Sequence, residues 1–566
     1  MLSALPQDMA TVMQWKWADI EPYYRELEDR VLTAENVAEF LAEWTRVYVL
    51  LDEWGSRLNV ATTVNTADEE ADRRYRAFLD EIYPALKAAE QRLKQKLLAS
   101  GLEPAGFEVP LHKMRTEAAI FREANLPLQT EERKLALQYN KIVGAETVQW
   151  EGQELTITQM QPIYQDTDRG KRERAWRLAM SRQMADRAAI NALWQQFLAL
   201  RGKIAANAGF PDYRAFRWQL LLRFDYTPAD CVTFQQAIET VVVPAAERIY
   251  ERRRQRLGVE ALRPWDLNVD SLGRPALRPF SSVDELVRKG AGIFHRVDPQ
   301  LGAYFDIMVR ENLLDLANRK NKGPGAFCTG YPASRRAFIF ENAVGLHDNV
   351  GTLLHESGHA FHNFERYQLP YHQQWHTGSE MAEVASMAME LLGSPYLTKT
   401  EGGFYSEADA ARAQIEHLED SILFWPYMAI VDAFQHWVYE HPDTAMDPGN
   451  CDEQWGVLWE RFRRGVDWTG LEEEMKAGWQ RKQHIHTSPF YYVEYGLAQL
   501  GAVQIWGNAL QNQAGAVAAY RRALALGGTV SLPKLYAAAG AKFAFDAETL
   551  RKAVALMERR IAELES

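Results

Sequence analysis

Between Gly351 and His362 the chain reads GTLLHESGHAFH, with His355 and His359 four residues apart and Glu356 directly after the first histidine. On a helix, residues i and i+4 project from the same face. Two imidazoles so placed grip one Zn²⁺ and leave positions for a third protein ligand and a water. Glu356 sits about 100° round from His355 by helical geometry. Its carboxylate then lies beside a zinc-bound water rather than on the metal, which is where a general base belongs. Any fold for this chain must therefore build a helix here and bring a further ligand to it.

Candidates for that ligand lie downstream in TGSEMAEVASMAMELLG, where Glu380, Glu383 and Glu390 punctuate an apolar helical pattern from Gly378 to Leu392. Glu383 stands 24 residues after His359, enough for a loop and a returning helix. Glu380, one turn earlier, is placed to orient a histidine from behind the metal. Glu390 shares Glu383's face two turns on. Met381, Ala382, Val384, Ala385, Met387 and Met389 make this segment too apolar for a solvated helix. His362 shares the face of the histidine pair, and packing or hydrogen bonding suits it better than ligation. His347, His372 and His376 flank the motif, so six of the thirteen histidines fall within residues 347–376.

A chain of 566 residues is too long for one ordinary core. We expect an N-terminal helical lobe over 1–200 and a catalytic lobe over 201–566, with a soft boundary near 190–210. Apolar content of 47% with 25% charged residues is that of a globular protein. The net charge of −12 argues against a nucleic-acid partner, which requires a basic surface. Arg252–Arg254 form the one basic run and read as a solvated helix face. Cys231, Cys328 and Cys451 are too few and too scattered for a disulfide framework. The N-terminal stretch lacks the basic start and apolar core of a signal peptide, and no run of 18 apolar residues marks a membrane span. These features lead us to expect a reduced, cytoplasmic protein without membrane partners.

Most of the chain has helical periodicity. Val37, Phe40, Leu41, Trp44, Val47, Tyr48 and Leu51 follow i, i+3, i+4 spacing. Thr66 and Glu69 have capping-box spacing before a helix through Tyr83 to Leu98. Leu126–Val143, Asp168–Ala208, 228–257 and Ser281–Val297 are further helical stretches. Thr147–Trp150 and Glu154–Ile157 flank Gly152 as a short hairpin. Lys320–Asn342 carries the main β signal, with Ala326–Gly330 and Ala337–Phe340 joined through Tyr331–Arg336. The fold class is mainly α, with a small sheet just before the histidine motif.

A second informative stretch is His484–Tyr495, HIHTSPFYYVEY, with two histidines and three tyrosines. Hydrolysis of an amide needs a donor to the developing oxyanion, and Tyr O–H or His N–H can supply one. Taken alone, the stretch reads as an aromatic core segment. Beside a zinc motif it becomes a candidate wall of an active site.

Together, GAFCTGYPASRRAFIFEN, TLLHESGHAFH, SEMAEVASMAMELL, DAFQHWVYEHP and SPFYYVEYGLAQLGA resemble the thimet oligopeptidase and oligoendopeptidase F family of zinc metallopeptidases. The likeness is greatest to the bacterial oligoendopeptidase F and Pz-peptidase branch, and it spans roughly residues 140–566. It implies a zincin-type core in two helical lobes flanking a deep substrate channel. It implies one Zn²⁺ per chain held by His355, His359 and Glu383, with Glu356 activating water. His484 with Tyr491 or Tyr495 would stabilise the tetrahedral intermediate. The tyrosine spacing departs from the thimet branch, so Tyr492 competes, as does His486 for the histidine role. Ala337, Phe338, Ile339 and Phe340 resemble the family's substrate-binding edge strand, where a peptide adds by backbone hydrogen bonding.

The expected function is zinc-dependent hydrolysis of internal bonds in short unstructured oligopeptides by a monomer or homodimer. Two other readings are a zinc carboxypeptidase of related helical fold and a non-catalytic peptide-binding scaffold.

Overall fold

The long Val37–Val64 helix illustrates how this chain folds, since Phe40, Leu41, Trp44, Val47 and Leu51 are all fully buried along one stripe. The computed structural model describes residues 5–566 except 7, 320 and 324. The architecture is mainly helical, with five short strands among the described residues. No helix among those residues is long and apolar enough to cross a membrane. Residue 320, the expected start of the main β segment, lies outside the described residues.

Several helical stretches are subdivided, each for a local reason. Asp186 ends one helix (Arg169–Ala185) and begins the next (Arg187–Ala208). Wide π turns at Phe78–Ile82 and Ile238–Val242 each stand just before a proline, Pro84 and Pro244. A proline ring has no N–H for the carbonyl one turn back and crowds it, and a widened turn relieves both. The cap of the Glu69–Ala77 helix is Asp68, whose Oδ1 accepts from Ala71 N at 3.0 Å. Thr66, the residue expected there, instead donates through its N–H and hydroxyl to the Asn321 carbonyl.

The described chain groups into two compact units, each assembled from three segments. One comprises Met1–Ala119, Pro279–Ala410 and Gly501–Phe543; the other comprises Ile120–Arg278, Ala411–Leu500 and Ala544–Ser566. The boundary expected near residue 200 falls inside the continuous Arg187–Ala208 helix, so division by sequence order is not the grouping observed. Segments distant in sequence share each core.

In the second unit, β1 (Thr147–Trp150) and β2 (Gln153–Thr156) form the expected antiparallel hairpin. In the first unit, β3 (Leu314–Ala317), β4 (Phe327–Tyr331) and β5 (Arg336–Ala343) make a sheet in the order β3-β5-β4. The parallel strand β3 stands outside the Lys320–Asn342 segment expected to carry the sheet, because its partner is distant in sequence and no hairpin turn marks the pairing. It makes β5 the central strand. Ile339 lies opposite Leu314 of β3 and Cys328 of β4, and Phe340 lies opposite Asp315 and Phe327. Ala337 and Phe338 pair with Gly330 and Thr329. All four of Ala337, Phe338, Ile339 and Phe340 are buried. The expectation that they form a substrate-binding edge is therefore corrected: the edge beside them is β4.

The turn between β4 and β5 is held from below by Glu53, fully buried in the Val37–Val64 helix. Its carboxylate accepts from Ser334 N at 2.8 Å and Ser334 Oγ at 2.6 Å, and pairs with Arg57. Gly330 of β4 is dictated by packing, since a Cβ there would meet the Tyr367 hydroxyl at 2.2 Å.

Candidate active site

The histidine motif lies on the His347–Arg366 helix, which packs against the Ser379–Gly393 helix. Gly358, inside the motif, sets how closely they approach. A Cβ on Gly358 would stand 2.4 Å from the Ala385 carbonyl oxygen and 2.6 Å from Ser386 Cα. With no side chain at 358, the second helix comes close enough to present Glu383 to the histidines. Tyr520 fixes the same turn from outside, donating to the Ala385 carbonyl at 2.7 Å.

His355 Nε2 and His359 Nε2 each lie 3.5 Å from one oxygen, Glu383 Oε2. Ser386 Oγ donates to that oxygen at 3.1 Å. The ligand atoms of His355, His359 and Glu383 all fall within 4.8 Å of one another. Two imidazole nitrogens and one carboxylate are the donor set of a catalytic zinc site with open positions. Glu356 is outside this group. It is buried, and its Oε2 has no hydrogen-bond partner. An orphaned acceptor beside three convergent donors fits a bound cation whose water it would face.

Glu390, not Glu380, is the carboxylate behind the first histidine, with Oε1 2.6 Å from His355 Nδ1. Seven residues beyond Glu383, it shares that face and reaches the far side of the ring. Glu380 is buried against Gly378 and is not in the ligand group. The Glu390 contact holds His355 with Nδ1 protonated and Nε2 free to ligate. Glu390→Gln is expected to weaken zinc binding ~10–100-fold, measured by competition with a chromophoric chelator. Unchanged affinity would mean that Glu390 does not orient the ring.

Burial works against charge on His355, but Glu383 and Glu390 outweigh it and raise its pKa well above the usual imidazole value. Burial lowers His359 to about 4, with Glu383 opposing. Burial pushes Glu356 up to about 7, His355 opposing and Glu383 and Glu390 adding. A divalent cation would be the largest charge here and would lower all three.

Nearby on β5, burial pushes the Glu341 carboxyl up to about 8; Asn349 and Lys322 oppose this and Glu356 adds to it. An acid whose folded pKa is raised contributes stability that is fully present below its unfolded pKa. That stability is lost as pH rises through the folded value. Thermal stability is therefore expected to fall between pH ~4.5 and ~8 by an amount that Glu341→Gln removes, on the order of a few kcal/mol. Parallel stability–pH curves for the two proteins would contradict this.

The other histidines near the motif sort by contact. His362 is buried and outside the ligand group. His347 Nδ1 lies 2.7 Å from the Tyr405 hydroxyl. His372 stacks on Tyr48 with centroids 4.0 Å apart and meets Thr45 Oγ1 at 3.2 Å. His376 is exposed.

In the second unit, the His484–Tyr495 stretch divides by burial. His486 is fully buried, stacked on Tyr139 at 4.4 Å, and burial lowers its pKa to about 3. Tyr492 is buried beneath the Lys482 ammonium, 4.1 Å from its ring centroid. Both are core residues. His484, Tyr491 and Tyr495 are half-exposed, with the His484 ring centroid 6.0 Å from Tyr491 and 5.8 Å from Tyr495. Behind them, Arg223 and Glu494 form a buried ion pair at 2.6 Å.

The peptidase family M3 profile matches residues 163–555, and the M3 N-terminal domain profile matches residues 10–105. The chain belongs to peptidase family M3. Among solved structures, one assigned to oligoendopeptidase F is 28% identical to this M3 metallopeptidase, covering 96% of each chain with a TM-score of 0.89. PZ peptidase A with an inhibitor is 25% identical, covering 100% of this chain and 99% of its own, also at 0.89. An oligoendopeptidase F assignment from Bacillus anthracis shares the fold at 23% identity and a TM-score of 0.85, covering 97% of this chain and 96% of its own. No curated protein compared with the M3 peptidase matches it significantly.

Proposed function

We propose that this M3 peptidase hydrolyses internal peptide bonds of short unstructured oligopeptides, with one zinc held at its catalytic centre by His355, His359 and Glu383. The observation that carries this is the placing of both histidine Nε2 atoms 3.5 Å from a single Glu383 oxygen, with Glu356 buried and its Oε2 unpartnered next in sequence. Zinc in that donor set supplies Lewis-acid polarisation of the scissile carbonyl and acidifies water. Glu356 Oε2 takes the proton from the attacking water and passes it to the leaving amine nitrogen. Glu390 keeps the His355 ring oriented throughout.

An extended peptide would bind along β4, whose outer edge offers backbone N–H and C=O groups. His484 with Tyr491 or Tyr495 would donate to the oxyanion; their half-exposure supports this, as does the burial of Tyr492 and His486. The name of the neighbour at 28% identity, oligoendopeptidase F, agrees with an oligopeptide substrate. We also place the enzyme in the reducing cytoplasm, a reading consistent with the lack of any disulfide among Cys231, Cys328 and Cys451.

The test is a mixed library of peptides blocked at both ends, digested with and without chelator and mapped by mass spectrometry. Internal cuts that stop with chelator and return with zinc are expected. Cleavage only of peptides with a free C-terminus would favour a carboxypeptidase. Binding without cleavage would favour a scaffold.

A further inference from the structure

A second cluster of ligating side chains lies wholly within the other unit, and the peptidase reaction makes no use of it. Cys231 on the Pro228–Ala237 helix, with Asp432 and His436 on the Glu407–Glu440 helix, place a sulfur, a carboxylate oxygen and an imidazole nitrogen within 4.8 Å of one another. Asp432 and His436 are four residues apart, so they share a helical face. Cys231 and Asp432 are fully buried and His436 is 5% exposed.

Two observations point to a cation. Asp432 Oδ1 and His436 Nε2 are both buried without a hydrogen-bond partner. Asp432 Oδ2 receives one amide N–H, from Gln235 at 2.7 Å, and lies 3.6 Å from His436 Nε2, too far for a hydrogen bond. A buried carboxylate this poorly satisfied is costly unless a cation neutralises it.

We propose that Cys231, Asp432 and His436 supply three ligands to a second Zn²⁺, its fourth position left to a water, and that this ion ties the Pro228–Ala237 helix to the Glu407–Glu440 helix. A thiolate, a carboxylate and an imidazole suit zinc and exclude magnesium and calcium. Thiolate and carboxylate together balance the ion's charge. Arg214 Nη1 lies 3.3 Å from His436 Nδ1 and is also paired with Glu440. As Arg214 can only donate, Nδ1 accepts in this contact and the ring proton sits on Nε2; ligation at Nε2 moves that proton to Nδ1, so the Arg214 hydrogen bond to His436 is given up and Arg214 turns to Glu440 alone. The His436 ring packs against Phe490 at 5.2 Å, and Phe490 N donates to Gln435 Oε1 at 2.7 Å. The ion would therefore steady the segment that carries Tyr491 and Tyr495.

Because the site is buried, the ion enters during folding. The test uses the full chain with the first metal site removed, as His355→Ala/His359→Ala, produced in cobalt-supplemented minimal medium. About one equivalent of cobalt is expected, with the near-ultraviolet charge-transfer band of a cobalt thiolate. Adding Cys231→Ser should abolish the band. A Cys328→Ser/Cys451→Ser version should keep it, which decides the matter even if Cys231→Ser fails to fold. Cobalt-free protein, absence of the band, its survival in Cys231→Ser, or its loss in the Cys328→Ser/Cys451→Ser version would overturn the proposal.

Discussion

Glu356→Gln is expected to lower kcat by ~10²–10⁴-fold while zinc content and thermal stability stay unchanged. The amide keeps the shape of the carboxylate and removes only its ability to take and return a proton. Glu356 is not among the clustered ligand atoms, so zinc should not notice the change. Its Oε2 has no protein partner to lose, so the fold should not notice either. KM should move little, because the lost interaction belongs to the transition state. A variant with near-parental kcat would show that another group handles the proton. A variant that lost zinc would show that Glu356 ligates the metal.

Gly358→Ala is expected to be nearly as damaging by a different route. The added methyl meets backbone, the Ala385 carbonyl and Ser386 Cα, not a flexible side-chain tip. Relief requires the Ser379–Gly393 helix to move away. Glu383 sits on that helix, one turn before the contact, so it leaves the histidines as the helix shifts. Overpacking of this kind costs ~1–3 kcal/mol in stability. The functional loss should be larger, with zinc affinity down ~100-fold or more, beyond what a supporting residue behind a ligand contributes. Isothermal titration with zinc and a melting curve measure both. A Gly358→Ala enzyme with full zinc affinity would mean that the helix spacing does not position Glu383.

Much of the candidate site was legible in the sequence because it is written in short-range periodicity. His355, Glu356 and His359 follow from the helical turn alone. Glu383 was one of three candidates on one helix, and the resemblance selected it. What stayed hidden depends on contacts between segments. The reach of Glu390 to the back of His355 depends on how two helices dock. The central position of β5 depends on β3, a parallel partner distant in sequence with no hairpin turn to announce it. The burial of Tyr492 and His486 was hidden too, since aromatic residues close in sequence look alike. The grouping into two units was beyond a reading by sequence order, because each unit collects three separated segments.

The most direct measurement is a zinc-edge anomalous difference map from crystals of the Glu356→Gln variant soaked with an oligopeptide. A peak bonded at ~2.0–2.2 Å to His355, His359 and Glu383 is expected, with the substituted amide facing the scissile bond. No peak among those three side chains, or one that leaves Glu383 outside bonding distance, would contradict it.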